Sequence, residues 1–262
     1  MKSTSELKSK GLIGFQTLVK REIVRFLSVF GQTIFPPLVS SFLYIFIFGL
    51  SLGARIEKVD GTPYLMFMIP GILMMYVIEG SYANTSSSLF ISRWANNIEE
   101  LLVTPLSYFE MVLAVLIGGL ARSLVCALGV YLISLIFVRF PLAHPLLVLY
   151  FLVFVSLVFS SLGMIVALFA EEFEHLTMAT TFIITPLIFF GGVFHSLSMV
   201  PPFLRGITAF NPIFYMVNGM RYGMLGVSDA PIWLCMTVVL GLFALLFSGA
   251  VYLFHIGFKL RK

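Results

Sequence analysis

Charge is what this sequence has least of. Only 11% of its 262 residues are Asp, Glu, Lys or Arg, where a soluble domain of this size carries about 25%. That shortage excludes a surface facing water over most of the chain, so lipid must cover much of it. Cysteine is scarce too. Cys126 and Cys235 both lie inside long apolar runs and read as small hydrophobes rather than disulfide partners. No G-x-x-x-x-G-K-[ST] occurs, which excludes nucleotide binding through a P-loop in this chain. No nucleophile–base constellation is visible. The run Glu171-Glu172-Phe173-Glu174-His175 gathers acids around one imidazole, but nothing else supplies further metal ligands, so it reads as a solvated turn that also touches a partner. His144, His195 and His255 are single residues near expected interfaces. Residues 1–10 are polar, with no short apolar run ending in a cleavage site, so the first apolar stretch is expected to stay in the mature protein. There is no tandem repeat, and one membrane domain is the economical reading.

What is present is apolar. The chain is 60% hydrophobic, with mean hydropathy +1.04 and 28 Phe residues. A spanning helix needs about 20 mostly apolar residues, and the charges divide the sequence into six such segments: 32–54, 64–90, 108–138, 146–169, 176–197 and 232–256. Six spans put both termini on one side. Lys2, Lys8, Lys10, Lys20, Arg21, Arg25, Arg93, Lys259, Arg261 and Lys262 fall on that side, against Arg55, Lys58, Arg139, Arg205 and Arg221 on the other. The excess of cations makes the terminal side cytoplasmic.

Four segments stand out. Over 12–30, Phe15, Val19, Ile23, Leu27 and Phe30 recur at near-helical spacing, with Lys20, Arg21, Arg25 and Ser28 elsewhere on the wheel. This predicts an amphipathic, cation-rich helix lying in the membrane interface before the chain turns in at Pro36-Pro37; the alternative is a plain extension of the first span. Residues 92–106 predict a short cytoplasmic helix carrying Arg93, Asn96, Asn97, Glu99, Glu100, Leu101 and Leu102. Asn97 and Glu100 are spaced as a capping box and Thr104-Pro105 is a stop. Ser107 and Glu110 repeat the capping pattern at the start of the third span. A short capped helix suits either insertion into a groove on a soluble partner or a solvated connector. Glu79 and Arg122 are the ionisable residues deepest in the spans, each costly to bury unpaired, so each is expected to face the bundle interior, a cavity or a partner. Residues 199–226 are too broken by Pro201, Pro202 and Pro212 to span and too apolar for water, which predicts re-entrant or interfacial helices on the extracytoplasmic side.

The stretches MIPGILMM (68–75), NNIEELLVTPLS (96–107), TPLIFFGGVFHSLSMVPPF (185–203) and NPIFYMVNGMRYGMLG (211–226) resemble the type-2 ABC (ABC-2) transporter permeases of the bacterial YadH-type branch, from about residue 15 to the C-terminus. The resemblance implies an all-α permease of the bacterial inner (cytoplasmic) membrane with both termini cytoplasmic. Residues 1–30 would be the N-terminus and connecting helix, 31–258 the transmembrane domain and 259–262 a cytoplasmic tail. It implies a homodimer that contacts one cytoplasmic ABC ATPase per copy, with MgATP held by that partner, no cofactor in this chain and no nucleic acid. Residues 93–103 would be the coupling helix, and 200–225 the paired half-helices of an exit gate that includes Pro201, Pro202, Asn211, Pro212, Tyr215 and Arg221. The dimer contact would use small polar residues such as Ser40, Ser41, Asn84 and Ser86 to Ser88. The cargo would be hydrophobic or amphipathic: a lipid, a lipid-linked glycan or a drug-like molecule. A membrane-embedded lipid-modifying enzyme and a passive channel without ATP coupling are the competing classes.

Overall fold

A computed structural model describes residues 4–51, 53, 58–99, 104, 106–139 and 142–259. Its helices, in chain order, are α1 (Thr4–Ser28), α2 (Phe30–Thr33), α3 (Phe35–Ser51), α4 (Tyr64–Trp94), α5 (Tyr108–Phe137), α6 (Pro145–Phe169) and α7 (Phe173–Ala179), which runs through a π turn (Thr180–Ile184) into α8 (Thr185–Phe190). Then follow α9 (Pro202–Phe210), α10 (Pro212–Leu225) and α11 (Ile232–His255). Among the described residues, six stretches are long and apolar enough to cross a membrane: Phe30–Gly49, α4, α5, α6, Phe173–Phe190 and α11. The protein is an all-α membrane protein, as expected.

Local chemistry sets the boundaries. The expected bend at Pro36-Pro37 falls earlier, at Val29 and Ile34, where α2 is inserted between α1 and α3. Pro36 and Pro37 then occupy the first turn of α3, where a missing N–H costs nothing. Ser107 opens α5 as predicted: its hydroxyl accepts from Glu110 N at 3.3 Å, and its own N donates to Glu110 Oε2 at 2.8 Å. The fifth span begins and ends earlier than its sequence limits. Gly191 caps α8, and Gly192, at φ +79°, turns the chain into a strap over residues 191–200. Between α3 and α4 a hairpin pairs Lys58–Val59 with Thr62–Pro63. Its turn, Asp60-Gly61, has φ +48° and +81°, the Asp-Gly pattern of a two-residue hairpin loop.

The most buried span is α4, with 83% of its most apolar stretch inside, against 17% for Phe30–Gly49, Phe173–Phe190 and α11. It is the axle of the bundle, packed by α5, α6 and α10. Small side chains allow this approach: Thr85 Oγ1 donates to Ser160 O at 3.0 Å, and a Cβ on Gly119 would meet Ser160 Oγ at 2.2 Å. Ser41, Asn84, Ser86 and Ser88 are buried inside the protomer, so the expected use of these four residues in contact with a second copy is corrected. Both cysteines are buried free thiols.

Candidate coupling and gating sites

Two ends of the bundle carry polar clusters. We call basal the end where α4 and α6 finish, and apical the end of the hairpin, the strap and α9.

At the basal end, Arg93 lies in the last turn of α4 rather than on a separate short helix. Its Nη1 donates to Ala167 O at 2.5 Å and Ala170 O at 3.1 Å, and its Nε to Lys259 O at 2.8 Å. The guanidinium thus satisfies carbonyls at the C-terminus of α6 and ties the chain after α11 to it. Lys259 Nζ pairs with Glu171 Oε1 at 3.0 Å and holds that carboxyl below its ordinary range. Asn96 and Asn97 form the turn after α4, Asn96 at φ +57°, and a helix restarts at Ile98 and exposed Glu99. Glu100 and Leu101, the remaining members of the expected coupling set, lie outside the described residues, as does the Asn97–Glu100 cap.

Along α1 the packed face is only partly the one its apolar spacing predicts: Phe15, Val19 and Ile23 are half-buried against α5. Leu27, and Phe30 at the start of α2, are exposed, while Leu18 and Phe26 are buried against α5 and its neighbours and Glu22 between α5 and Ser88 of α4. Glu22 is fully buried. Ser88 Oγ donates to its Oε2 at 2.6 Å, Arg21 Nη2 to its Oε1 at 3.1 Å, and Arg25 Nε lies 3.4 Å from Oε2. Arg25, assigned from its spacing to an outer face, turns inward and donates from Nη2 to Asn84 O at 2.8 Å and Asn84 Oδ1 at 3.0 Å. Gly118 of α5 makes room, since a Cβ there would stand 2.6 Å from that of Glu22. One carboxylate therefore joins α1, α4 and α5.

Within the spans, Arg122 Nη2 donates to Thr33 O at 3.3 Å. No ion pair joins it to Glu79 among the described residues. Glu79 lies beside Tyr76 on α4, and Tyr76 in turn neighbours Ser40 and Tyr44 of α3.

The apical end is built around Arg221, which is 1% exposed on α10. Its Nη2 donates to Gly192 O of the strap at 2.7 Å, Nη1 to Asn218 Oδ1 at 3.3 Å and Nε to Phe67 O of α4 at 3.4 Å. Its carbon sits 3.7 Å above the Phe67 ring centre. Asn218 Oδ1 also accepts from Asp229 N at 2.9 Å. Above it, Ser196 Oγ lies 2.5 Å from Asp60 Oδ2 and 3.1 Å from Asp229 Oδ1. These bonds bolt the hairpin, the strap and the 226–231 loop to α4 and α10. Burial lowers the His195 imidazole from its ordinary value. Of the other expected gate residues, Pro201 and Pro202 open α9 at the surface. Asn211 caps α10, accepting from Ile213 N at 3.0 Å and donating to Leu187 O at 2.6 Å. Pro212 begins α10 and Tyr215 donates to Ala209 O at 2.8 Å. Gly219 lets α10 sit on Phe151, whose ring would be 2.1 Å from a Cβ. By contrast α9 shows Phe203, Ile207 and Phe210 on its outside.

Glu22, Asp60, Ser196, Asn218 and Asp229 escaped the sequence reading. The i, i+3 spacing of Glu22 and Arg25 and the Asp60-Gly61 turn pair were the available signals.

Comparison with known proteins matches residues 13–225 to the model of the ABC-2 type transporter family. The inner membrane transport permease YadH of Escherichia coli (strain K12) is 40% identical over 220 residues, 84% of this chain and 86% of that one. Nodulation protein J of Rhizobium leguminosarum bv. viciae is 25% identical over 188 residues, 70% of this chain and 71% of its own. The same protein from Neorhizobium galegae is 24% identical over 247 residues, 92% and 94%.

Proposed function

The chain belongs to the ABC-2 type transporter family, and we propose that it is the permease of an ATP-binding-cassette exporter of the bacterial inner membrane. Two copies enclose the path, and each binds a separate cytoplasmic ATPase subunit that holds MgATP. The cargo is hydrophobic or amphipathic: a lipid, a lipid-linked glycan or a drug-like molecule. The observation that carries this reading is the 40% identity to a transport permease across 84% of the chain, in a chain with six apolar spans and no P-loop sequence.

In this reading the basal end is cytoplasmic. The turn at Asn96 and Asn97, exposed Glu99, and Glu100 and Leu101 beyond it enter a groove on the ATPase. Arg93 positions that element by fixing the end of α4 to α6 and the tail. When ATP draws two ATPases together, the basal push passes through α4, with α1 and α5 attached by Glu22. At the apical end, α9 and α10 are the re-entrant pair, and Arg221 holds the closed cap. The residues Pro201, Pro202, Asn211, Pro212 and Tyr215 shape that pair. Glu79 and Arg122 serve the membrane interior, Arg122 holding the α2 turn and Glu79 lying beside Tyr76.

Co-purification with the ATPase tests the reading. Replacing Glu99 and Glu100 with Ala should weaken association or leave hydrolysis without transport. Unchanged association and unchanged transport would remove the coupling assignment. A chain that transports without any ATPase would remove the exporter reading itself.

A further inference from the structure

The seam between α1 and α5 holds more positive charge than the fold uses. Arg21 and Arg25 of α1 pair there with one carboxylate, Glu22, Arg122 of α5 lies near Arg25, and Lys20 precedes them on α1. Arg21 and Arg25 flank that carboxylate, and Arg122 spends one hydrogen bond on Thr33 O. Arg25 Nε and Arg122 Nε make no hydrogen bond although both atoms are buried. Lys20 is exposed and enters no ion pair among the described residues. Beside Lys20 a cleft of about 300 Å3 opens between the two helices, lined by Phe15, Gln16, Val19, Lys20, Ile23 and Ile117. Its walls are almost wholly apolar, and Lys20 and Gln16 stand on its rim. Nearby, Leu12, Ile13, Val24 and Leu27 of α1 are exposed, so α1 presents a greasy side as well as a charged one.

An apolar slot with a cation at its mouth, on a helix that lies where the spans begin, fits a ligand with a hydrocarbon tail and an anionic head. We propose that this cleft binds one anionic diacyl phospholipid, an acyl chain lying against Val19, Ile23 and Ile117 and the phosphodiester held by Lys20. The charge of Arg25 and Arg122 on the same helix pair adds a longer-range attraction, screened over the Debye length of about 8 Å at physiological salt. A zwitterionic lipid gains the apolar contact and little of that attraction. A soluble phosphate gains the attraction and none of the contact. The lipid would fasten α1 to α5 from outside, as Glu22 does from within.

The proposal rests on reading α1 as a helix at the membrane surface. It needs neither an ATPase nor a cargo, so it can stand or fall apart from the exporter reading. The test is native mass spectrometry of the full chain in detergent, titrated with dioleoyl phosphatidylglycerol or dioleoyl phosphatidylcholine. Phosphatidylglycerol should be retained about five- to tenfold more strongly. Lys20→Glu should abolish the preference while leaving the thermal midpoint unchanged. Gln16→Trp, which fills the slot from its exposed rim, should lower retention of both lipids. Excess inorganic phosphate should not displace the bound lipid. Equal retention of the two lipids, a preference that survives Lys20→Glu, or displacement by inorganic phosphate would each overturn the proposal.

Discussion

Glu22 and Arg221 are both buried charges that bind α4 to its neighbours, one beside its C-terminal half and one at its start, yet they are satisfied in opposite ways. Glu22 is an anion with two guanidiniums at 3.1 and 3.4 Å, and those partners remain 46% and 31% exposed. Arg221 is a cation with no carboxylate in direct contact among the described residues. Carbonyls, one amide oxygen and an aromatic face surround it instead. A cluster open to water can exchange partners at little cost, whereas a guanidinium set among carbonyls has one arrangement. The basal joint is therefore the easier of the two to break and the apical joint the harder.

Breaking each joint measures that difference. Arg221→Ala removes the side-chain donor to two carbonyls, Gly192 O and Phe67 O, and should cost about 3–5 kcal/mol, read as chemical unfolding in detergent. Arg221→Lys should recover little of it, because one ammonium cannot reach three acceptors on separate elements. Glu22→Ala should cost less, about 2–3 kcal/mol, because water screens the half-exposed Arg21 and Arg25 it abandons. Gly118→Ala attacks the same joint sterically and should cost about 1–2 kcal/mol, with α1 prised from α5 and faster proteolysis within α1.

The apical joint should also answer to acid. Burial lowers the folded pKa of His195 below its unfolded value near 6.5. The unfolded state therefore binds the proton more readily, and stability falls as pH drops through about 6.5, until the lowered folded pKa is passed. Accessibility of a cysteine introduced into the strap, measured from pH 7.5 to 5.5, should rise over that window, and His195→Gln should flatten the response. The smallest effect belongs to Lys259→Ala. Its pair with Glu171 is open to solvent and should leave the thermal midpoint unchanged.

The spans were legible because hydropathy is a property of composition along one helix. The box at Ser107 and Glu110 was legible because a cap is local. The packed face of α1 was legible only at Phe15, Val19 and Ile23, because Glu22 becomes buried only when Ser88 and Gly118, far away in sequence, supply a hydrogen bond and an empty Cβ position. Asn84 and Ser88 read as surface glue for a second copy and serve α1 instead. Arg221 read as a gate residue from its motif, but only the fold brings the strap and Phe67 to it.

Spin labels on exposed positions of α1 and of α5, with the chain reconstituted beside the ATPase proposed for it, address the central point most directly: whether α1, α4 and α5 move as one body. Double electron–electron resonance without nucleotide and with ATP should give the same single distance, and Glu22→Ala should broaden it. A distance that shifts with ATP in the unmodified protein would contradict the rigid unit.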